Sequence, residues 1–483
     1  MAKTSLIILI LIISVAAFFR FYQLDGYMTF LGDEGRDMMI IKDLVREGNV
    51  PFIGPASSVG NVYLGPLYYY MMGLTALVFG LNPVFQAGMV AVLGVASVFL
   101  VYYLGRIFFN EWSGLLSAWL YAISPVTIIY SKSSWNPNPA PFFTLLSVWA
   151  FYRWSQSLSW RWSILVGIFV SAAVQMHYLT LPLIPVYTIL TGWCWYQKKI
   201  SKTKFVKSLV FFFTSFNILL LPWWLFEFKH NFLNLRGIAD IFFGSSSSVG
   251  GLSVNIFVKV FNTVINILIG NYLTGGVMIL SFGVLALVGW IMVKQKNNWN
   301  SILISTLILV GLGFVNLYKG DVYDHYVGYL APGLFILMGS SWMLLKRWGR
   351  WGLLGLVAIL TIFNLQGNPL KYPANNQLKR TQEISKYVIE QADGKPFNFA
   401  LIAKNNYDSA YQFYLEEYGY TPKIVPKEKT DQLFIVCEDL ECNPINHPKY
   451  EIAAFGMSKI ESKTEFAGVK VFKLVANPSG KPT

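Results

Sequence analysis

Apolar runs separated by short polar breaks fill the first three quarters of the chain. They cover residues 5–23, 84–105, 112–131, 138–155, 161–177, 179–197, 206–226, 274–294, 300–317, 326–345 and 350–366. Each approaches the roughly 20 residues that a helix needs to cross a hydrocarbon layer, so the pattern predicts about eleven transmembrane helices. One further run, 66–80, is about 15 residues long and fits either a short span or a helix lying on the membrane surface. Charge decides between them. With 66–80 flat on the outer surface, Lys3, Arg106, Arg153, Arg161, the lysines of 198–207, Lys294, Lys296, Lys346, Arg347 and Arg350 all fall on one side. That is the cytoplasmic bias expected of Lys and Arg in short loops. The amino terminus is then cytoplasmic and residues 367–483 lie outside. The first run lacks an A-x-A-like cleavage site and continues into Arg20, so it reads as a span rather than a signal peptide.

Past residue 366 the period changes. Helical spacing at 381–392 and 409–418 alternates with strand-like stretches at 397–403, 433–437, 451–455 and 468–475. The expected fold is therefore an all-α polytopic membrane domain over 1–366, followed by a small α/β extracytoplasmic domain over 367–483. The membrane part has two long exterior loops, 24–83 and 227–273, and the first of them carries two interfacial helices. Within the second, 244–251 (GSSSSVGG) reads as a flexible exterior loop.

Composition narrows the class. Of 483 residues 54% are hydrophobic and only 13% charged, which excludes an ordinary soluble enzyme. The net charge of +13 invites a nucleic-acid partner, but its distribution argues against one. Residues 1–366 hold 23 Lys and Arg against 11 Asp and Glu, whereas 367–483 hold 15 against 14, so the excess belongs to membrane loops. Three cysteines make no disulfide framework; Cys437 and Cys442 can pair if the tail faces an oxidising compartment.

With this topology the polar side chains gather outside. The first exterior loop opens with Asp33, Glu34, Arg36 and Asp37, and a helix is expected from Gly35 to Glu47. Later loops add Lys132, Trp135 and Asn136 (SKSSWNPNP), His177 and Tyr178 (QMHYLTLP), Glu227, His230 and Arg236 (FEFKHNFLNLR), and Tyr323, Asp324, His325 and Tyr326 (VYDHY). Each has a plainer reading. Acids after a first span are commonly a solvated loop, and a histidine beside apolar helices is commonly a hydrogen-bonded interfacial residue. Tyrosines around His325 suit an aromatic belt, and Trp135-Asn136-Pro137 suits a tight turn. The chain has no G-x-S-x-G, no Walker A loop and no H-E-x-x-H, which removes the common hydrolase, ATPase and zinc protease classes.

A first span followed by DEGR (33–36), then GPLYYY (65–70), then YYLGRIFFNEWSGLLSAWLYAISP (102–125) resembles the GT-C membrane glycosyltransferases over residues 1–240. Within that fold the order of features is similar to the dolichyl-phosphate-mannose protein mannosyltransferase and lipid A aminoarabinose transferase group. The resemblance implies transfer of a hexosyl or pentosyl group, with inversion, from a polyprenyl-phosphate donor to a protein, lipid or glycan acceptor outside the cytoplasm. It assigns the catalytic base to Asp33, matches Arg36 to the basic residue after the acidic pair, and places surface helices at 37–47 and 66–80. Relatives often carry a basic residue or His just before the proline of the second helix, where this chain has Leu64 and Gly65. The donor phosphate then falls to Arg36, Lys132, His230 or Arg236. Glu34, Trp135, Asn136, His177, Tyr323, Asp324, His325 and Tyr326 are the remaining candidates to line the substrate site. No cofactor is required by this reading, although Glu34 or Asp324 are candidates to bind a divalent cation. The expected location is the cell membrane, and nucleic acid is not an expected partner. The competing class is a transporter or lipid flippase, which needs ionisable residues at mid-membrane; such residues are scarce in these runs.

Overall fold

A computed structural model of the chain describes residues 3–57, 62–243, 254–271, 278–318, 321–439, 441–466 and 468–477. The glycine-serine run at 244–251 lies outside the described residues. Among the described residues each of the eleven apolar runs is mostly helical, several of them in two pieces. By length and composition three helices, Lys3–Phe21, Pro83–Phe108 and Arg347–Gln366, are long and apolar enough to cross a membrane, and a bent pair makes up to four. That pair is Lys202–Leu219 with Leu221–Lys229, meeting at 69°. The break has a physical cause, since Pro222 has no N–H to continue the ladder of the preceding helix. Pro125 likewise divides Glu111–Ile123 from Pro125–Ile129. An apolar run thus locates helix well, while proline and loop chemistry decide where each helix stops.

One helix lies where the sequence was read as loop. Val254–Ile269 falls inside the expected second loop, where Lys259, Asn262 and Asn266 interrupt the apolar run. Its period is nonetheless helical, and Ile256, Val260, Thr263, Val264 and Ile267 are buried.

The chain forms two compact units. The first comprises residues 1–22, 50–74 and 86–373; the second comprises 23–49, 75–85 and 374–483. In the first, small residues set how closely helices approach. A Cβ on Gly339 of Ala331–Leu344 would lie 2.2 Å from Ser117 Oγ and 2.4 Å from the Ser113 carbonyl of Glu111–Ile123.

The second unit is built on a four-stranded sheet in the order β1-β2-β4-β3, with β1 Asn398–Ile402, β2 Gln432–Cys437, β3 Ser458–Phe466 and β4 Val469–Ala476. β1 and β2 run parallel, and β4 pairs antiparallel with both β2 and β3. One sheet face packs Phe399, Leu401, Phe434 and Val436 against Ile384 and Val388 of Gln377–Ala392 and Tyr411 and Leu415 of Ser409–Glu417. One expected strand is corrected, and one strand was not expected. Residues 451–455 form the helix Tyr450–Phe455 rather than a strand, because Ile452 and Phe455, three apart, turn to one buried side. The polar stretch 458–466 is strand β3, an edge strand whose charged residues need no buried face. Cys437 and Cys442 form a disulfide.

Candidate active site

Residues 23–49 belong to the same unit as the tail. Their main element is the helix Gly32–Lys42, which starts three residues earlier than the expected Gly35. Its start is set by Glu34, whose buried carboxylate accepts from the Leu31 N–H at 3.1 Å and from the Thr29 hydroxyl at 2.6 Å. This satisfies a backbone donor at the helix entrance. Burial pushes the Glu34 carboxyl above its ordinary range against the pull of those hydrogen bonds.

Asp33 stands beside it in the first turn with its side chain 40% exposed. Its Oδ1 accepts from Arg36 Nη1 at 2.9 Å and from the Tyr407 hydroxyl at 2.6 Å. Among the described residues Oδ2 has no hydrogen-bond partner. Arg36 spans two acids, since its Nε and Nη2 donate to Asp37 Oδ1 at 3.0 and 2.8 Å. The helix is clamped further along by Lys42 on Glu416 and by Arg46 on Glu417 at 2.8 Å. It lies against the start of Ser409–Glu417, where a Cβ on Gly35 would be 2.2 Å from the Ala410 nitrogen.

In the first unit, residues from three distant loops form one aromatic cluster. His325 sits 4.5 Å from Trp135, 5.5 Å from His177 and 4.6 Å from Tyr326, ring centre to ring centre, and Tyr323 stacks on it at 5.7 Å. Tyr130 stacks on Trp135 at 6.3 Å. Asn136 holds the Trp135 loop in place by donating to the Met176 carbonyl at 2.8 Å, at the end of Trp160–Met176. His177 Nδ1 accepts from the Leu179 N–H at 3.3 Å, which assigns its proton to Nε2. Burial lowers the His325 imidazolium to about 3, so the ring is neutral at physiological pH. Beside the cluster a cavity of about 510 Å³, open space included, is lined by Ser97, Tyr121, Tyr130, Asn138, His325 and Tyr329.

The candidate cations have separate placements. Lys132 Nζ reaches the carbonyls of Phe19, Arg20 and Tyr22 at 3.2, 3.4 and 2.9 Å, capping the end of Lys3–Phe21. Burial, with Arg20 nearby, lowers its ammonium to about 8. Arg20 itself is fully buried and donates to the Ala16 and Ala122 carbonyls and to Thr127 Oγ1. His230 and Arg236 are exposed and make local contacts, His230 stacking on Phe226 and Arg236 donating to the Asn231 carbonyl. Asp324 accepts from Asn266 at 2.8 Å.

Residues 64–223 match the family described as dolichyl-phosphate-mannose-protein mannosyltransferase. The structure superimposes on ArnT from Cupriavidus metallidurans bound to undecaprenyl phosphate with a TM-score of 0.65, 13% identity and complete coverage of both chains. This is the GT-C fold.

The same GT-C architecture relates the chain to the oligosaccharyltransferase of Archaeoglobus fulgidus in its apo form, with a TM-score of 0.59, 12% identity, and coverage of 93% of this chain and 71% of that one. The archaeal enzyme AglB in complex with an inhibitory peptide and a dolichol-phosphate aligns with a TM-score of 0.53 and 12% identity over 99% of this chain and 75% of that one. No curated protein matches the chain by sequence. The family match begins at Leu64, so Asp33 lies before it.

The lack of a side chain at Gly65 fits its local packing. Gln175, buried, occupies the space in front of it, and a Cβ there would lie 2.3 Å from Gln175 Oε1. That oxygen instead accepts from the Leu67 N–H at 3.2 Å and secures the start of Leu67–Phe79. Glu227, also fully buried, accepts from the Asn234 N–H, the Asn234 amide and the Leu235 N–H at 3.1, 2.7 and 3.0 Å, while Asn234 accepts from the Tyr63 N–H. Replacing Glu227 by Ala should cost about 2 kcal/mol or more, since buried donors lose their acceptor. Hydrogen exchange should rise at 62–65 and 233–235, and unchanged protection there would assign Glu227 no structural role.

Among the described residues no group of three or more His, Cys, Asp or Glu side chains is placed to hold a metal ion. Glu34 fits that task poorly, because its two oxygens serve Thr29 and Leu31. Tyr407, Asn406, Gln175 and Arg20 were not readable as site or support residues. Nothing in NNYDSAY, the sequence around Tyr407, distinguishes it from an ordinary helix approach.

Proposed function

We propose that this chain is a membrane glycosyltransferase that moves a hexosyl or pentosyl group from a polyprenyl-phosphate carrier to a protein, lipid or glycan acceptor on the non-cytoplasmic side, with inversion. The observation that carries the reading is the Asp33 carboxylate, one oxygen held by two donors and the other left to accept a proton. As the acceptor oxygen attacks the anomeric carbon, the carbon–phosphate oxygen bond breaks and its electrons go to the phosphate. The acceptor's proton passes to Asp33 Oδ2. A carboxylate whose reference pKa is about 4 suits this task late in the step, when the attacking oxygen has become acidic.

Shared architecture supports the donor class. The ArnT structure is bound to undecaprenyl phosphate, and AglB is in complex with a dolichol-phosphate and an inhibitory peptide. Of the four candidate cations, Lys132 caps a helix and Arg36 pairs with Asp33 and Asp37, while His230 and Arg236 are exposed. The neutral aromatic group of Trp135, Tyr323 and His325 supplies flat faces for a sugar ring. Trp135→Ala should raise the donor KM about tenfold with little change in kcat, as loss of one stacking face predicts. An unchanged KM would remove Trp135 from the donor site. Metal dependence, on this reading, does not pass through Glu34.

The proposed topology has eleven spans, the amino terminus inside and the tail outside, supported by the one-sided Lys and Arg bias and by the Cys437–Cys442 bridge. Tags at the two termini should therefore label from opposite faces of sealed membranes. Purified protein incubated with radiolabelled polyprenyl-phosphate sugars and a panel of acceptors, with and without chelator, tests the activity. Transfer from at least one donor is expected; none from any donor would overturn the assignment.

A further inference from the structure

We infer that Tyr407, in the tail, is a positioning residue for the proposed transfer, so that the C-terminal domain is a working part of the enzyme. The inference rests on the reading of Asp33 as base. Its ground is a closed triangle of hydrogen bonds. The Tyr407 hydroxyl donates to Asp33 Oδ1 at 2.6 Å, and Arg36 Nη1 donates both to that oxygen at 2.9 Å and to the Tyr407 hydroxyl at 3.2 Å. The two residues are 374 apart in sequence.

The arrangement is anchored on both sides. Tyr407 follows β1 in a loop whose Asn406 accepts from the Gly32 N–H at 2.8 Å and donates to Glu438 at 2.9 Å, just past the end of the parallel neighbour β2. Tyr411 also donates to Glu438, at 2.7 Å. The phenol ring packs against Gly32 so closely that a Cβ there would lie 2.6 Å from its carbons. Helix start, carboxylate and tyrosine loop are therefore fixed as one piece.

The chemistry follows from which atoms are used. Burial, and then the hydrogen bond to Asp33, raise the Tyr407 phenol well above its ordinary value, so it keeps its proton and acts as donor. With Oδ1 holding two donors, rotation of the carboxylate is blocked and Oδ2 is the atom presented for proton transfer. Packing alone would need the ring and not the hydroxyl.

Tyr407→Phe separates the two roles, because the ring stays and only the donor goes. With the polyprenyl-phosphate sugar that the wild-type enzyme turns over, kcat should fall about tenfold while the donor KM and the melting temperature stay unchanged, the worth of one charge-assisted hydrogen bond. The acid limb of the kcat–pH profile should move to higher pH, since a donor to the ionised carboxylate has been removed. Wild-type kcat with an unmoved acid limb would overturn the inference. A second measurement needs no turnover: meta-fluorotyrosine in place of Tyr407, observed by fluorine NMR, should titrate with a carboxyl group and lose that titration in Asp33→Asn. A resonance indifferent to pH and to Asp33→Asn would equally overturn it. Retained transfer by Asp33→Asn would instead sink the underlying reading of the base, which keeps the two failures distinguishable.

Discussion

Asp33→Asn should leave the protein inserted, folded and able to bind donor, yet reduce turnover about a thousandfold or more. The amide keeps the size of the carboxylate and can still accept from Arg36 and Tyr407 through its oxygen. What it cannot do is take up a proton at the position of Oδ2, where an amide presents hydrogens instead. The loss should therefore appear in kcat and kcat/KM equally, with the donor KM preserved, as for a group that acts in the transition state. Initial rates with a radiolabelled polyprenyl-phosphate sugar, set against melting temperatures of both proteins, make the measurement. Activity within tenfold of wild type would show that another group receives the proton.

The second large effect is structural and lies two residues away. Gly35→Ala would place a methyl group 2.2 Å from the Ala410 nitrogen and 2.3 Å from its Cα, and neither is the free end of a side chain. Backbone must move, so the helix Gly32–Lys42 is expected to lift from Ser409–Glu417, costing about 3 kcal/mol, at the upper end for overpacking. Because that contact also holds Tyr407 against Asp33, transfer should be lost along with stability. Gly48→Ala is the matched control. It has open space around it but a φ of +72°, so strain alone applies and about 1 kcal/mol is expected. Thermal unfolding of the three proteins would decide the matter, and equal melting temperatures for Gly35→Ala and wild type would mean that the two helices separate freely.

Much of the chemistry around these positions was visible in the chain itself. The acidic pair after the first apolar run stands out as a pair, and Trp135, His177 and His325 stand out singly in separate short loops, although that the three meet in one aromatic cluster is seen only in the structure. Glu34 shows the limit of such reading. Two adjacent acids look equivalent in sequence, yet one opens to the surface while the other turns inward to close a helix. Lys132 shows it again, since a cation in a polar loop looks available for phosphate until three carbonyls at a helix end are seen around it.

The hydrophobic pattern by itself determined that this is a helical membrane chain with a small α/β tail, because burial of apolar runs is a local property that accumulates residue by residue. The proposal of Asp33 as base came from the resemblance and not from that pattern. Only the tertiary structure decided that segment 23–49 packs with the tail, that Tyr407 and Arg36 share one oxygen of that aspartate, and that 451–455 is helix rather than strand. Those outcomes depend on directional hydrogen bonds and close approaches between residues hundreds of positions apart, and no periodicity along the chain encodes which distant donor meets which acceptor.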